Sequence, residues 1–528
     1  MIKKDKILQF FPVLILIIAF ILRTFKLKEF FYFTFDEEVI AFISKRMIVD
    51  HHFPLIGGVT PFHFHLGPYF YYLSAVILFL SHLNPLGWGV FAALISCLCI
   101  YLTYKTGKTI FNQRVAFLAS FFYTFSFLQI IYDRHYWPLT LNPLLTLLAL
   151  YSLIQIKKNA NFSFLLAPSL IFALHTDPSN WLLLPVSLLV YFWQKLKFSK
   201  KQFFAFCLIF LSCLSLVLFD LRHDFVNCRG IIQYLQEQNG GTPPTFYKLV
   251  STVTFIPKAA SQTLFSPFGT EISRLQSSCQ SVAQERIISQ PLFLVFFTAF
   301  VIISPLFILQ KHKKNSNKNL FWKQNLFLQF YFLFLIFLII GLNIFGNLFD
   351  GPIFEHYLTG FSPLFYLSLS LFLSLLFKSK FKILIPVFIG VFSIACLNSL
   401  TNLNNDYNLK NKTEAIKWTV NQLKNQEFTL DSLSKCFRYG GFRYLFYLEQ
   451  KEPALSFVDP QLFWLYDKRN TPRYPKLLVV FVSHDFDADS KEYNFYERYK
   501  QKLIKSQTFG KLEVLIVNNS NEDFKIVY

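Results

Sequence analysis

Residues 33–58 read FTFDEEVIAFISKRMIVDHHFPLIGG, and the rest of the chain is organised around them. Three consecutive acids, Asp36, Glu37 and Glu38, follow the first apolar run of a chain that otherwise keeps acids away from its apolar segments. Thr34 with Glu37 three residues later is the spacing of a capping box, so a helix is predicted to start here. Val39, Ile40, Ile43 and Met47 fall on one face and Lys45, Arg46 and Asp50 off it, the pattern of a short amphipathic helix lying on a membrane surface. Asp36 sits in the first turn, where the helix dipole favours an ionised carboxylate. Acids are common in first turns for that reason alone, so the triplet takes its meaning from its surroundings.

Outward from this stretch the composition is that of a membrane protein. Of 528 residues, 53% are hydrophobic and only 16% charged, and Phe alone contributes 68. Repeated apolar runs of roughly 15–20 residues are long enough to cross a bilayer as helices. The first, Ile7–Leu22, follows MIKKDK and has no small-x-small cleavage site, since Arg23, Thr24, Phe25 and Lys26 come next; it reads as a retained anchor. Spans are expected near 7–22, 86–104, 115–131, 140–156, 162–175, 181–193, 203–219, 291–310, 326–344, 361–377 and 383–398.

The net charge of +20 raises the question of nucleic acid, and its placement answers it. The start (1–6) and every second link (105–114, 157–161, 194–202, 311–325 and 378–382) together hold 20 Lys/Arg and one acid, Asp5. The remaining 31 Lys/Arg nearly cancel the remaining 30 Asp/Glu, so the excess charge marks cytoplasmic links, as the positive-inside rule requires. Leu66–Ser81 is apolar enough to span, but if it crossed, every basic link from 105 to 382 would move outside. It is therefore expected to lie along or dip into the outer leaflet. The N-terminus is then inside, the C-terminus outside, and the acidic triplet falls in a first outer loop of about residues 23–87.

Ionisable residues gather at the outer mouths: Asp36–Glu38, His63 and His65, Tyr132–Trp137 (YDRHYW), His175–Asp177, Asp220–Asp224 and Glu355–Tyr357. Any one such cluster is more often a solvated loop; their recurrence on one face is what a shared catalytic basin would need. The longest outer link, 220–290, carries the turn GGTPP and then Phe246–Phe265, expected as an interfacial helix or a mobile gate. Cys228 and Cys279 lie in that link, where a disulfide is open to them, and no His/Cys ligand spacing appears anywhere.

After about Asn398 the composition changes. A helical pattern over Thr413–Gln426, a strand over Leu477–Val482, a helix over Lys491–Ile504 and a strand over Glu513–Val517 predict a small soluble α/β domain at 399–528, outside the membrane. The expected fold is thus a polytopic α-helical membrane domain, 1–398, followed by that α/β domain.

FDEEVIAFISKRM, FPLIGG and TPFHFHLGPYFYYL together resemble the first outer loop of the C-type (GT-C) membrane glycosyltransferases, most closely the protein O-mannosyltransferase and aminoarabinose transferase-like branch. RHYWPLTLNPLLTLLALY is similar to that family's second outer loop and following span, and EHYLTGFSPLFYL to a late outer segment. The resemblance covers about 1–200 and, loosely, 350–375. It implies a sugar moved from a polyprenyl-phosphate carrier to an acceptor hydroxyl (protein, lipid or glycan) on the outer face, with inversion. In those terms Asp36 is the candidate general base, with Glu37 aligning the acceptor or substituting. Arg134, Arg222, His356 and Tyr357 are candidates for the donor phosphate, which Arg suits geometrically. The family's second acid, just before the proline opening the fourth span, is replaced here by Asn142, and Asp133 is the nearby candidate for that role. His63 and His65 are candidates for the lipid phosphate or a divalent ion, although two interfacial histidines need no such role. A divalent metal is compatible with such a basin but not required by it.

The competing expectations are a transporter or flippase, and a glycan polymerase or ligase using lipid-linked oligosaccharide. Ion-coupled carriers show mid-membrane ionisable residues and internal repeats; this sequence has neither. Its Lys-, Asn- and Phe-rich usage suits a bacterial inner membrane.

Overall fold

The computed structural model describes residues 4–60, 63–237, 246–268, 291–311, 318–348, 353–377, 380–403, 408–434, 440–462, 465, 475–484 and 486–519. Where no water reaches the backbone, a helix satisfies its own amides and carbonyls, and every expected span is helical. They are α1 (Lys4–Thr24), α5 (Leu86–Ile110), α6 and α7 (Gln113–Phe125, Phe127–Tyr132), α8 (Asn142–Ile156), α9 (Ser163–Thr176), α10 (Leu183–Trp193), α11 and α12 (Lys200–Ser212, Leu214–Arg222), α15 (Leu292–Lys311), α16 (Lys318–Asn343), α17 (Ser362–Leu376) and α18 (Leu384–Asn402). Among the described residues, six continuous helical stretches are long and apolar enough to cross a membrane unaided. The break between α6 and α7 falls at Ser126, whose hydroxyl donates to the Thr263 carbonyl at 2.7 Å instead of continuing the helix.

The basic links meet at one end of this bundle. Lys323 Nζ reaches the Thr109 carbonyl at 3.4 Å, Lys157 lies over the Trp322 ring at 4.3 Å, and Lys201 bonds Asn161. Links 105–114, 157–161 and 194–202 and residues 318–325 are therefore neighbours in space, as alternate links of an up-and-down bundle must be. Asp36, His135, Asp177 and Tyr357 belong to links of the other set.

Between α1 and α5 lie a single turn, α2 (Leu27–Phe30), then α3 (Phe35–Val49) and α4 (Tyr69–Leu80). At 12 residues, α4 is about 18 Å long, well short of a hydrocarbon core of about 30 Å, and it packs along α3. One expectation is corrected here. Helix α3 is not a surface helix with one buried face: Ile40, Ala41, Phe42, Ile43, Ser44 and Met47 are all buried. The reason is a second cover, because α20 (Phe442–Leu448) of the C-terminal region packs on the side that α4 leaves open.

A second correction concerns α13 (Val226–Glu237) and α14 (Phe246–Phe265). Neither the gate nor the interfacial reading describes α14, which packs within the bundle against α7, α15 and α16, with Phe255, Ile256, Ala259, Ala260 and Leu264 buried. The small residues Ala259, Ala260 and Ser261 let it approach its neighbours closely, as helix contacts in membranes favour. Cys228 is exposed, whereas Cys279 lies outside the described residues.

The C-terminal region opens with α19 (Leu409–Leu423) and forms a five-stranded sheet in the order β2-β1-β3-β5-β4. Strands β2 (Leu455–Ser456), β1 (Phe428–Leu433) and β3 (Leu477–Val482) are parallel; β5 (Leu512–Asn518) and β4 (Leu503–Phe509) complete it antiparallel. The predicted strand at 477–482 is β3, and the predicted 513–517 is the core of β5. The predicted helix to Ile504 stops instead at Gln501 as α22 (Lys491–Gln501), because Leu503–Phe509 pairs with β5. One sheet face packs on α22 through Leu478, Val480, Val482, Leu515 and Val517; the other joins the main core shared with the bundle.

Candidate active site

The capping box forms as its spacing predicts: the Thr34 amide and hydroxyl both donate to Glu37 Oε2 at 2.8 Å. With that turn set, the three acids point to three different surroundings.

Asp36 is exposed, and what it is exposed to is a cavity. Its carboxyl is pushed up to about 6, by burial among protein atoms first and the Glu37 charge second, with His135 acting the other way. Exposure and desolvation coexist because the open side faces a partly open cavity with largely apolar walls. Glu37 is buried. Burial pushes its carboxyl up, but the charge and hydrogen bond of His135 and the Thr34 contacts outweigh it, leaving it below the ordinary value. His135 Nε2 lies 2.7 Å from Glu37 Oε1, and its ring stacks on Trp137 at 4.5 Å. Glu38, fully buried, accepts the Tyr444 amide at 2.8 Å from the C-terminal region. Burial lifts its carboxyl to about 7 against the pull of that amide, Arg443 and Lys412.

The cavity measures about 1650 Å³. Its walls come from α3, residues 52–60 and 64–66, α10, α12, α13, the C-terminal half of α16 and the C-terminal Leu462 and Leu465. They are apolar over most of their extent, through Phe35, Val39, Ile43, Phe337, Ile340 and Phe345 among others, and are interrupted by Asp36, Arg46, His52, His65, Asp177, Arg222 and His223. The segment 57–66 folds back as a short hairpin, with Gly57 N–H to Leu66 O at 2.6 Å and Leu66 N–H to Gly58 O at 3.1 Å. A Cβ on Gly58 would stand 2.6 Å from the Tyr71 hydroxyl, so the glycine lets α4 seat that ring beneath the hairpin. Asn227 of α13 holds the other strand, accepting the His65 amide at 2.7 Å.

Of the residues singled out from sequence, Asp36, His65, Arg222 and Tyr357 line this one cavity. Glu37 sits directly behind Asp36. His356 is buried one ring back, 4.9 Å from Trp137 and stacked on Phe354. His63 lies on the hairpin's far side, its Nδ1 3.8 Å from the Glu237 carboxylate and its ring against Tyr234. Asp133 and Arg134 are placed elsewhere. Asp133 is buried and paired with Arg23 at 2.8 Å, also accepting Ser96 and Gln129. Arg134 is buried, donating to the Leu22 and Phe25 carbonyls with its guanidinium over Phe30. These two tie α1 to the α7 end.

Sequence reasoning passed over His135, which directly follows the candidates Asp133 and Arg134 in YDRHYW. Its only sequence signal was membership of that cluster, because the partner that gives it meaning is 98 residues away. Lys412 and Tyr444 had no signal at all. Among the described residues no three His, Cys, Asp or Glu side chains converge as a metal set would, and the nearest His–Glu pair is already occupied with itself.

No family model matches the chain, and no curated protein does. Solved structures do. The chain is similar to the oligosaccharyltransferase of Archaeoglobus fulgidus in complex with zinc and sulfate, at 12% identity over 88% of this chain and 67% of that one, TM-score 0.47. It is similar to ArnT of Cupriavidus metallidurans bound to undecaprenyl phosphate, at 11% identity over 96% and 98% of the two chains, TM-score 0.44. It is also similar to the arabinofuranosyltransferase AftD from Mycobacteria, at 10% identity over 98% of this chain but 40% of that one, TM-score 0.38. By their names one of the three is an oligosaccharyltransferase and one an arabinofuranosyltransferase, and ArnT is bound to undecaprenyl phosphate.

Proposed function

We propose that the chain is an integral-membrane glycosyltransferase that moves a sugar from a polyprenyl-phosphate carrier to an acceptor hydroxyl on the extracytoplasmic face. Residues 1–398 form its catalytic membrane domain, and 399–528 an extracytoplasmic domain. The observation that carries the reading is the Asp36 carboxylate at the edge of a large, largely apolar cavity that also holds two arginines, Arg46 and Arg222, and three histidines. The outer half of α16 gives that cavity a wall of membrane character, suited to the carrier's isoprenoid chain. Arg222 supplies positive charge and donors for a leaving phosphate, with the His223 and His65 rings in the same wall.

The acceptor oxygen attacks the anomeric carbon from the face opposite the phosphate. The carbon–oxygen bond to the phosphate breaks with its electron pair going to the leaving group, and the hydroxyl proton passes to Asp36. One in-line displacement inverts the anomeric centre. A base is most effective when its pKa lies near the operating pH, and a carboxyl lifted to about 6 is better placed than an ordinary aspartate. Any divalent ion used would bear on the phosphate, and a chelator tests for it directly.

The test is transfer from labelled polyprenyl-phosphate sugars by the full chain in lipid nanodiscs. Asp36→Asn is expected to cut turnover by about 10² or more while the protein inserts and melts as wild type. Undiminished transfer by the variant removes Asp36 from the chemistry; no transfer by wild type from any carrier favours the transporter reading.

A further inference from the structure

The C-terminal region touches the acidic helix at two points, and the two points bracket Asp36. Lys412, on α19, is buried and donates from Nζ to the Phe33 carbonyl at 2.5 Å and to the Gly440 carbonyl at 2.7 Å. Three residues upstream of Asp36, the chain is therefore tied to α19 and to the loop before α20 through one ammonium group. Two residues downstream, Glu38 takes the Tyr444 amide. Between these ties the Tyr444 ring fills the gap, 5.9 Å from Phe33 and edge-on to Phe42 at 5.3 Å, and its hydroxyl donates to the Leu83 carbonyl at 2.9 Å. The approach is close enough to need a glycine. Gly441 has φ 76°, and a Cβ there would stand 2.8 Å from the Phe33 ring and 3.0 Å from its carbonyl oxygen. From the opposite side, the bundle holds Glu37 through His135.

We propose that Lys412 is a positioning residue for the general base: by holding the Phe33 carbonyl it sets where the first turn of α3, and with it the Asp36 carboxylate, stands in the cavity. The C-terminal domain is then a working part of the active site although it contributes no reacting group. A fully buried amino group is costly unless its donors are satisfied; two carbonyls take them here, and although burial pushes the Lys412 pKa down to about 7, the charges of Glu37 and Glu38 act the other way. A displacement of about 1 Å of a catalytic group is enough to cost 10²-fold in rate.

The catalytic role rests on Asp36 being the base; the clamp does not. The test therefore uses two readouts on the full chain in nanodiscs, comparing Lys412→Met, Lys412→Gln and Asp36→Asn with wild type. Hydrogen exchange of the segment 34–42 reads the clamp without any substrate. Lys412→Met is expected to speed exchange there at least tenfold while β3 and β5 keep their protection. Transfer from whichever polyprenyl-phosphate sugar serves wild type reads the consequence. We expect kcat to fall at least tenfold with KM for the carrier within twofold, and Lys412→Gln, which keeps a donor on a shorter arm, to fall between. Unchanged exchange in 34–42 overturns the clamp whatever the rates. Faster exchange with unchanged kcat overturns the positioning role and leaves Asp36 in place. Full activity in Asp36→Asn overturns the functional reading instead. Should Lys412→Met fail to fold, Lys412→Gln decides by the same two readouts.

Discussion

Asp36, Glu37 and Glu38 are chemically near-identical neighbours with three different tasks, and position on a helix turn is what separates them. Only Asp36 opens onto the cavity, and its carboxyl is lifted to about 6. If it takes the acceptor proton it must start ionised, so kcat/KM should be flat above that value and fall tenfold per pH unit below it. A rate profile from pH 4.5 to 8 checks this, and an acid limb centred near an ordinary aspartate value would contradict it. Glu37 behaves oppositely, since its ion pair with His135 leaves its carboxyl lowered. The stability from that pair is present above the ordinary glutamate value and is lost as pH falls through the folded one. Removing one partner of a buried pair typically costs about 3 kcal/mol or more. His135→Phe should therefore lower the melting midpoint clearly at pH 7, and the gap to wild type should narrow as Glu37 is protonated. The acidic triplet was legible in sequence as the first turn of a helix, but the different surroundings of its three carboxyls were not, because each partner (His135, Tyr444, Lys412) comes from far along the chain.

At the scale of elements, apolar length was the readable quantity. The expected spans became helices because hydrocarbon leaves the backbone no other choice, and the charge pattern ordered their links correctly. What failed were segments whose fate depends on a neighbour. The mixed pattern of Phe246–Phe265 reads as interfacial until α15 and α16 are there to bury it. Leu503 and Ile504 read as the tail of a helix until β5 offers their strand hydrogen bonds. Helix α3 reads as amphipathic until α20 covers its second side. Close helix contacts are equally invisible in sequence. Gly67, before α4, sits against His175 of α9, where an added Cβ would fall 1.5 Å from its Nδ1. Overpacking of this kind costs about 1–3 kcal/mol. Gly67→Ala should lose that much stability, and the double variant Gly67→Ala with His175→Ala should recover most of the part due to the clash, a coupling that thermal melts of the four proteins measure.

For the whole molecule, the distribution of charge makes a claim about sidedness. Cys228 is exposed beside Asp220, on the set of links opposite the basic ones. A membrane-impermeant maleimide should label it in intact cells, whereas a cysteine introduced at Lys195, in a basic link, should react only after permeabilisation. The reverse result would turn the protein over and put the acidic triplet in the cytosol. The C-terminal sheet was legible as a soluble α/β unit, yet its core runs on into that of the bundle, so its independence was overstated by composition alone.

The ties from Lys412 to Phe33 and from Tyr444 to Glu38 join residues 379 and 406 positions apart. Contacts between such distant parts of a chain form late. A ribosome adds roughly 5–20 residues per second, so the anchor and the acidic turn wait in the membrane for on the order of 20 seconds or more before their clamp is even synthesised. Until then a truncated or nascent chain holds its acidic turn from the bundle side alone, and on the proposed clamp it stays silent until the C-terminal region has emerged and docked.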